Sequence, residues 1–161
     1  MRADGLATAR WIALLLPLAL VGGALASQHL GGLFPCEMCL WQRWPHYAAI
    51  PVAALAFVVR PRMVQMLFVL FAGVLIAVSG AIGVFHAGVE YHWWQGITAC
   101  TAPATGGDPM AMLTEALRRP LVRCDVPQWT LFGISLAGFN AILSLAGAAA
   151  IFALAPRRGR P

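Results

Sequence analysis

The chain has 161 residues, of which 60% are apolar and only 11% charged, against roughly a quarter charged in an ordinary soluble domain. A chain this short is one domain, and in water alone it has no interior large enough to hide that much apolar surface. Its net charge of +5 sits at the ends of apolar runs, a pattern of membrane topology and not of nucleic-acid binding.

Four stretches, at about residues 11–30, 40–59, 63–87 and 128–155, meet the ~20 mostly apolar residues that a bilayer crossing requires. The first imitates a secretory signal, with Arg2 and Arg10 before it and Ala24-Leu25-Ala26 resembling a cleavage site. Its apolar run is long for a signal, so it reads as a helix. The second is apolar apart from Gln42, Arg43 and His46 near its start. Pro17, Pro45 and Pro51 fall inside spans, where neighbouring helices re-satisfy the freed carbonyls, so kinks are expected and not breaks. Gly22, Gly23, Gly73, Gly80, Gly83, Gly138 and Gly147 read as points of close helix approach. The expected fold is an all-α membrane protein: one domain over 1–161, a four-transmembrane-helix bundle with outer loops at about 31–39 and 88–127.

All eleven basic residues are arginine. Arg2, Arg10, Arg60, Arg62, Arg157, Arg158 and Arg160 share one side if all four helices cross. By the positive-inside rule both termini and the Arg60–Arg62 hairpin are cytoplasmic. Trp11, Trp41, Trp44, Trp93, Trp94 and Trp129 fall near predicted helix ends, as an interfacial belt would.

This topology puts Cys36 and Cys39 in the first outer loop and Cys100 and Cys124 in the second, outside the cytoplasm, where disulfides persist. Four cysteines allow three pairings, and the residues alone do not choose among them. Cys36-Glu37-Met38-Cys39 follows Pro35 and precedes an apolar run, so it begins a helix, where the dipole favours a thiolate, the nucleophile of disulfide exchange. Residues 36, 39 and 43 share a face, so Arg43 lies one turn below Cys39. An arginine at that depth is expected to stabilise the thiolate or the anionic form of a bound acceptor; the plainer alternative is that it snorkels to the head groups.

In the second outer loop Asp108-Pro109 reads as an N-cap with proline at the first helical position. The stretch to about Arg119 then forms a short interfacial helix with Met110, Leu113 and Leu117 on its apolar face. On spacing alone Cys100 and Cys124 serve equally well as a structural staple. Zinc is disfavoured, since a second C-x-x-C or C-x-x-H is missing, and no metal is expected. Singly, each of His29, His46, His86 and His92 reads as a satisfied bundle residue. A structural or transport protein stapled by disulfides is the remaining non-enzyme reading.

Phe34-Pro35-Cys36-Glu37-Met38-Cys39 with Gln42-Arg43-Trp44-Pro45 resembles the signature of the DsbB family of bacterial disulfide-bond-formation membrane proteins. His86-Ala87-Gly88-Val89-Glu90, Trp93-Trp94 and Thr98-Ala99-Cys100-Thr101 are similar to its lead into the second cysteine pair, and Cys124-Asp125 with Pro127-Gln128-Trp129 to its close. In the vitamin K epoxide reductase-like class the C-x-x-C follows the loop cysteines, whereas here it precedes them. The resemblance implies a multi-pass protein of the bacterial inner membrane with disulfides Cys36–Cys39 and Cys100–Cys124 on the periplasmic side. It implies that Cys100–Cys124 re-oxidises a soluble periplasmic DsbA-like thiol oxidase and that Cys36 exchanges with that pair. Cys39 then passes electrons to ubiquinone or menaquinone, with Arg43 and a histidine, His92 or His86, beside the quinone. A partner as oxidising as DsbA, near −120 mV, lies beyond the reach of an ordinary structural disulfide, and a lipid-soluble quinone supplies the stronger acceptor.

Overall fold

A computed structural model describes residues 5–98, 110 and 122–156. Within them the chain is mostly helical, with α1 (Gly5–His29), α2 (Glu37–Val58), α3 (Arg62–Glu90) and α4 (Leu136–Leu154). Helices α1, α3 and α4 are long and apolar enough to cross a membrane. Helix α2 carries Gln42, Arg43 and His46 in its first half and is less apolar than its neighbours.

The four helices pack by small residues. Ala9 and Ala13 of α1, Ala49, Ala53 and Ala56 of α2, Ala72 of α3 and Ala148 of α4 are buried together. Gly80 faces Leu145 and Ser144, and Gly83 lies against the backbone of Ala137 and Ala141, so any side chain there would push α3 and α4 apart. Gly73 and Gly147 serve likewise, against Ile151 and Leu16. Gly22 and Gly23 differ from the expectation: a Cβ on either meets nothing within 4 Å. The outward faces are apolar, with Leu15, Leu67, Phe71 and Ile142 exposed, which suits hydrocarbon and not water.

Helix ends match the capping chemistry. Cys36 caps α2, its sulfur accepting from Cys39 N–H at 3.3 Å. Ser135 caps α4 by accepting from Gly138 N–H at 3.1 Å. Helix α3 ends in a Schellman motif: His92 N–H bonds Val89 O and Trp93 N–H bonds Gly88 O, with His92 itself in the left-handed region at φ 61°.

The last helix starts at Leu136 and not near residue 128. A two-residue hairpin precedes it, β1 (Thr130–Leu131) pairing with β2 (Ile134–Ser135), turned by Phe132 and Gly133 at φ 52° and 78°. Two positive φ angles in a two-residue loop are the mirror-image turn that matches strand twist. Tyr91 pins this hairpin, donating to Gly133 O and accepting from Ser135 N–H, both at 2.9 Å. Helix α3 runs on to Glu90, three residues past the expected end of that span. The expected interfacial helix from Asp108 to about Arg119 lies outside the described residues, apart from helical Met110.

The hairpin connections alternate the helix directions. At one end Arg10 of α1 donates to Ala56 O and to Gln65 Oε1, with its guanidinium 4.8 Å from the centre of the Phe57 ring. The opposite end gathers Cys36, Cys39 and Cys124.

Candidate functional site: a three-sulfur cluster above an apolar cavity

Cys36, at the first turn of α2, is the hub of the cluster. Its sulfur lies 3.0 Å from that of Cys39 and 3.5 Å from His86 Nε2. Cys124 packs against it from the second loop, with Met38 and Val89 beside them. The loop is held there by Gln128, which donates to Phe34 O at 2.6 Å.

Cys124 occupies the anion-binding end of α2. Its sulfur accepts from the Cys36 thiol, from Thr98 Oγ1 at 3.5 Å and from the backbone N–H groups of Glu37 and Met38. The Cys36 hydrogen bond is the largest of these effects, and together they lower the Cys124 thiol to about 5. Cys36 moves the opposite way: bonded to Cys124 and Cys39 and buried, it holds its proton. Arg123, the neighbour of Cys124 in the chain, is not the cause, because Asp125 binds it at 2.9 and 2.6 Å. Arg118 and Arg119 lie outside the described residues, as does Cys100.

Of the two histidines considered, the structure brings His86 to the sulfurs and leaves His92 exposed in the turn that ends α3. His86 Nε2 faces Cys36, with Glu90 Oε1 3.7 Å away and the main chain of Cys124 alongside. Its other nitrogen, Nδ1, accepts from Gln42 Nε2 at 2.7 Å, which fixes Nε2 as the protonated one. Cys36, Cys39 and His86 present their donor atoms within 4.8 Å of one another, a grouping the sequence spacing did not reveal.

Beneath the cluster, between α1, α2 and α4, is a cavity of about 250 Å³ walled largely by apolar side chains, with Cys39, Gln42, Arg43, His46 and Asn140 in its lining. Arg43 leans onto α1, donating to Gln28 Oε1 at 2.7 Å and Ala24 O at 3.3 Å. It therefore stays at cavity level instead of snorkelling outward.

Residues 7–154 match the family model for "Disulfide bond formation protein DsbB". The chain belongs to the DsbB family. Curated DsbB relatives, each named disulfide bond formation protein B, are similar along nearly their whole length. The one from Neisseria meningitidis serogroup A is 28% identical over 150 residues, covering 88% of this chain and 90% of the relative. Those from Marinobacter nauticus and Polaromonas are each 30% identical, the first covering 84% of both chains and the second 87%. No solved structure matches the chain significantly. DsbB membership makes this a membrane disulfide oxidoreductase.

Proposed function

We propose that this DsbB protein re-oxidises a periplasmic DsbA-like thiol oxidase and passes the electrons to ubiquinone or menaquinone, as a four-span inner-membrane protein with cytoplasmic termini. The observation that carries the reading is Cys36 with a sulfur on either side, Cys124 from the loop and Cys39 above the cavity. The partner's dithiol reduces the Cys100–Cys124 disulfide and leaves as a disulfide. The Cys124 thiolate attacks Cys36 of the Cys36–Cys39 disulfide, forming a Cys36–Cys124 bond and releasing Cys39 as a thiolate. Cys100 then attacks Cys124, restoring the loop disulfide and freeing Cys36. Cys36 and Cys39 thereby carry the electron pair and two protons that came from the partner.

The cavity suits a quinone: its walls are largely apolar, and Arg43 would supply a donor to a ring oxygen. A bound quinone supplies an acceptor for two electrons and two protons. Arg43 lines the same cavity as Cys39, and its positive charge would stabilise the negative charge that develops there as the thiol pair is oxidised. Arg43→Ala is expected to slow quinone reduction roughly 10–100-fold while exchange with the partner continues, the two steps being followed separately by stopped-flow absorbance. Unchanged quinone reduction would remove Arg43 from the reaction.

Cys124 is fully buried and unreachable by a soluble partner, and its lowered pKa makes it the better leaving group. The partner's thiolate is therefore expected to attack Cys100. A partner lacking its own second cysteine traps the mixed disulfide, and peptide mapping should place the link at Cys100. A link mainly at Cys124 would reverse the two roles.

A further inference from the structure

Five buried or half-buried side chains connect the sulfur cluster to the cavity by hydrogen bonds whose directions are all determined. Asn140 Nδ2 donates to Gln42 Oε1 at 2.8 Å and to Ser79 Oγ at 3.2 Å. Its Oδ1 is thereby turned toward His46 and Ser144. Ser144 Oγ donates to that oxygen at 3.0 Å, and His46 Nε2 lies 3.0 Å from it. An amide oxygen only accepts, so His46 Nε2 carries the proton. In the neutral imidazole Nδ1 is then a bare lone pair.

That lone pair has no partner. His46 is 3% exposed and Nδ1 has no hydrogen bond, yet the side chain lines the cavity. A buried acceptor left unmet is costly, and a donor held in the cavity would meet this one on a small turn of the His46 ring. Other polar groups of the lining do not supply one: Gln42 and Asn140 are committed to the relay, and Ser27 Oγ donates to Ala24 O at 2.9 Å. Arg43 is a pure donor directed toward α1, whereas His46 donates through Nε2 to Asn140 on α4 and keeps Nδ1 as its acceptor.

We infer that His46 Nδ1 is the acceptor for a hydroxyl of the reduced cofactor, so that the cavity binds a quinol in preference to a quinone. This rests on the quinone reading above. A quinone offers only acceptor oxygens, which cannot satisfy Nδ1; the quinol formed from it by two electrons and two protons offers two O–H donors. Selective binding of the reduced form makes the bound couple more oxidising. Each tenfold preference raises its two-electron potential by about 30 mV, in the direction a chain that re-oxidises an oxidising thiol partner needs.

The test uses the full chain in lipid nanodiscs in a Cys39→Ser background, where neither cofactor form is consumed, with decylubiquinone and decylubiquinol as probes and tryptophan quenching as readout. His46→Leu is expected to weaken decylubiquinol binding about tenfold, the contribution of one buried hydrogen bond, and to leave decylubiquinone within about twofold. His46→Gln, which keeps an acceptor oxygen, should restore part of the loss. With ¹⁵N-histidine labelling, the unprotonated His46 Nδ1 resonance should move on adding quinol and not quinone. This arm needs no substitution at 46 and stands if His46→Leu fails to fold. Equal weakening of both forms, no weakening of either, or an Nδ1 signal indifferent to quinol would overturn the inference. Failure of both probes to bind the Cys39→Ser protein would instead overturn the quinone reading itself.

Discussion

Cys36→Ala is expected to reduce oxidation of the thiol partner to its uncatalysed background, because among the described cysteines Cys36 is the one bonded to both Cys39 and Cys124. Without it Cys124 has no disulfide to attack and Cys39 has no partner sulfur. The same substitution should alter Cys124 while the helices stay intact. In the reduced parent, alkylation of Cys124 should rise through a midpoint at about pH 5, since the thiol is protonated and inert below that value and a thiolate above it. Removing Cys36 takes away the largest cause of that depression, so the midpoint should move up toward the ordinary thiol range. Peptide-resolved mass spectrometry across pH checks both statements. An unmoved midpoint would mean that Thr98 and the α2 backbone amides hold the thiolate without Cys36.

The second large effect is on stability. Gln42→Leu keeps the volume but strands two groups: His86 Nδ1 loses its donor, and Asn140 Nδ2 keeps only Ser79. Each buried polar group left unmet costs roughly 1–3 kcal/mol, so a loss of about 3 kcal/mol is expected in denaturant unfolding in detergent. His86 would also be free to change tautomer, and disulfide exchange at Cys36 should slow as Nε2–H no longer points at the sulfur. A variant within ~0.5 kcal/mol of the parent would show that the relay contributes little to holding the bundle.

What could be read without a structure followed from local rules. Apolar run length located the helices to within a few residues, except where the Thr130–Ser135 hairpin delays α4. That hairpin is held by Tyr91 from the far end of α3, a contact 44 residues away in sequence. The placement of Cys36 at a helix start and of Arg43 one turn beyond Cys39 came from spacing alone and agrees with the geometry, while the position of Arg43 in a cavity wall is seen only in the structure.

The sequence by itself determined helical elements, cysteine placement and family, because hydrophobic run length, helix capping and short motifs act over a few residues. Only the tertiary structure decided which sulfurs meet and which histidine serves them. Cys124 takes its thiolate character from Cys36 and the α2 amides, not from the arginine beside it in the chain, because Asp125 neutralises that arginine. His86 and not His92 reaches the sulfurs, because the helix continues long enough to carry His86 on its inner face while the αL turn sends His92 outward. His46 read as an ordinary bundle residue, and its bare nitrogen is visible only once Asn140, 94 residues away, takes the other one. Hydrogen-bond direction is a property of the whole network, and no window of sequence contains it.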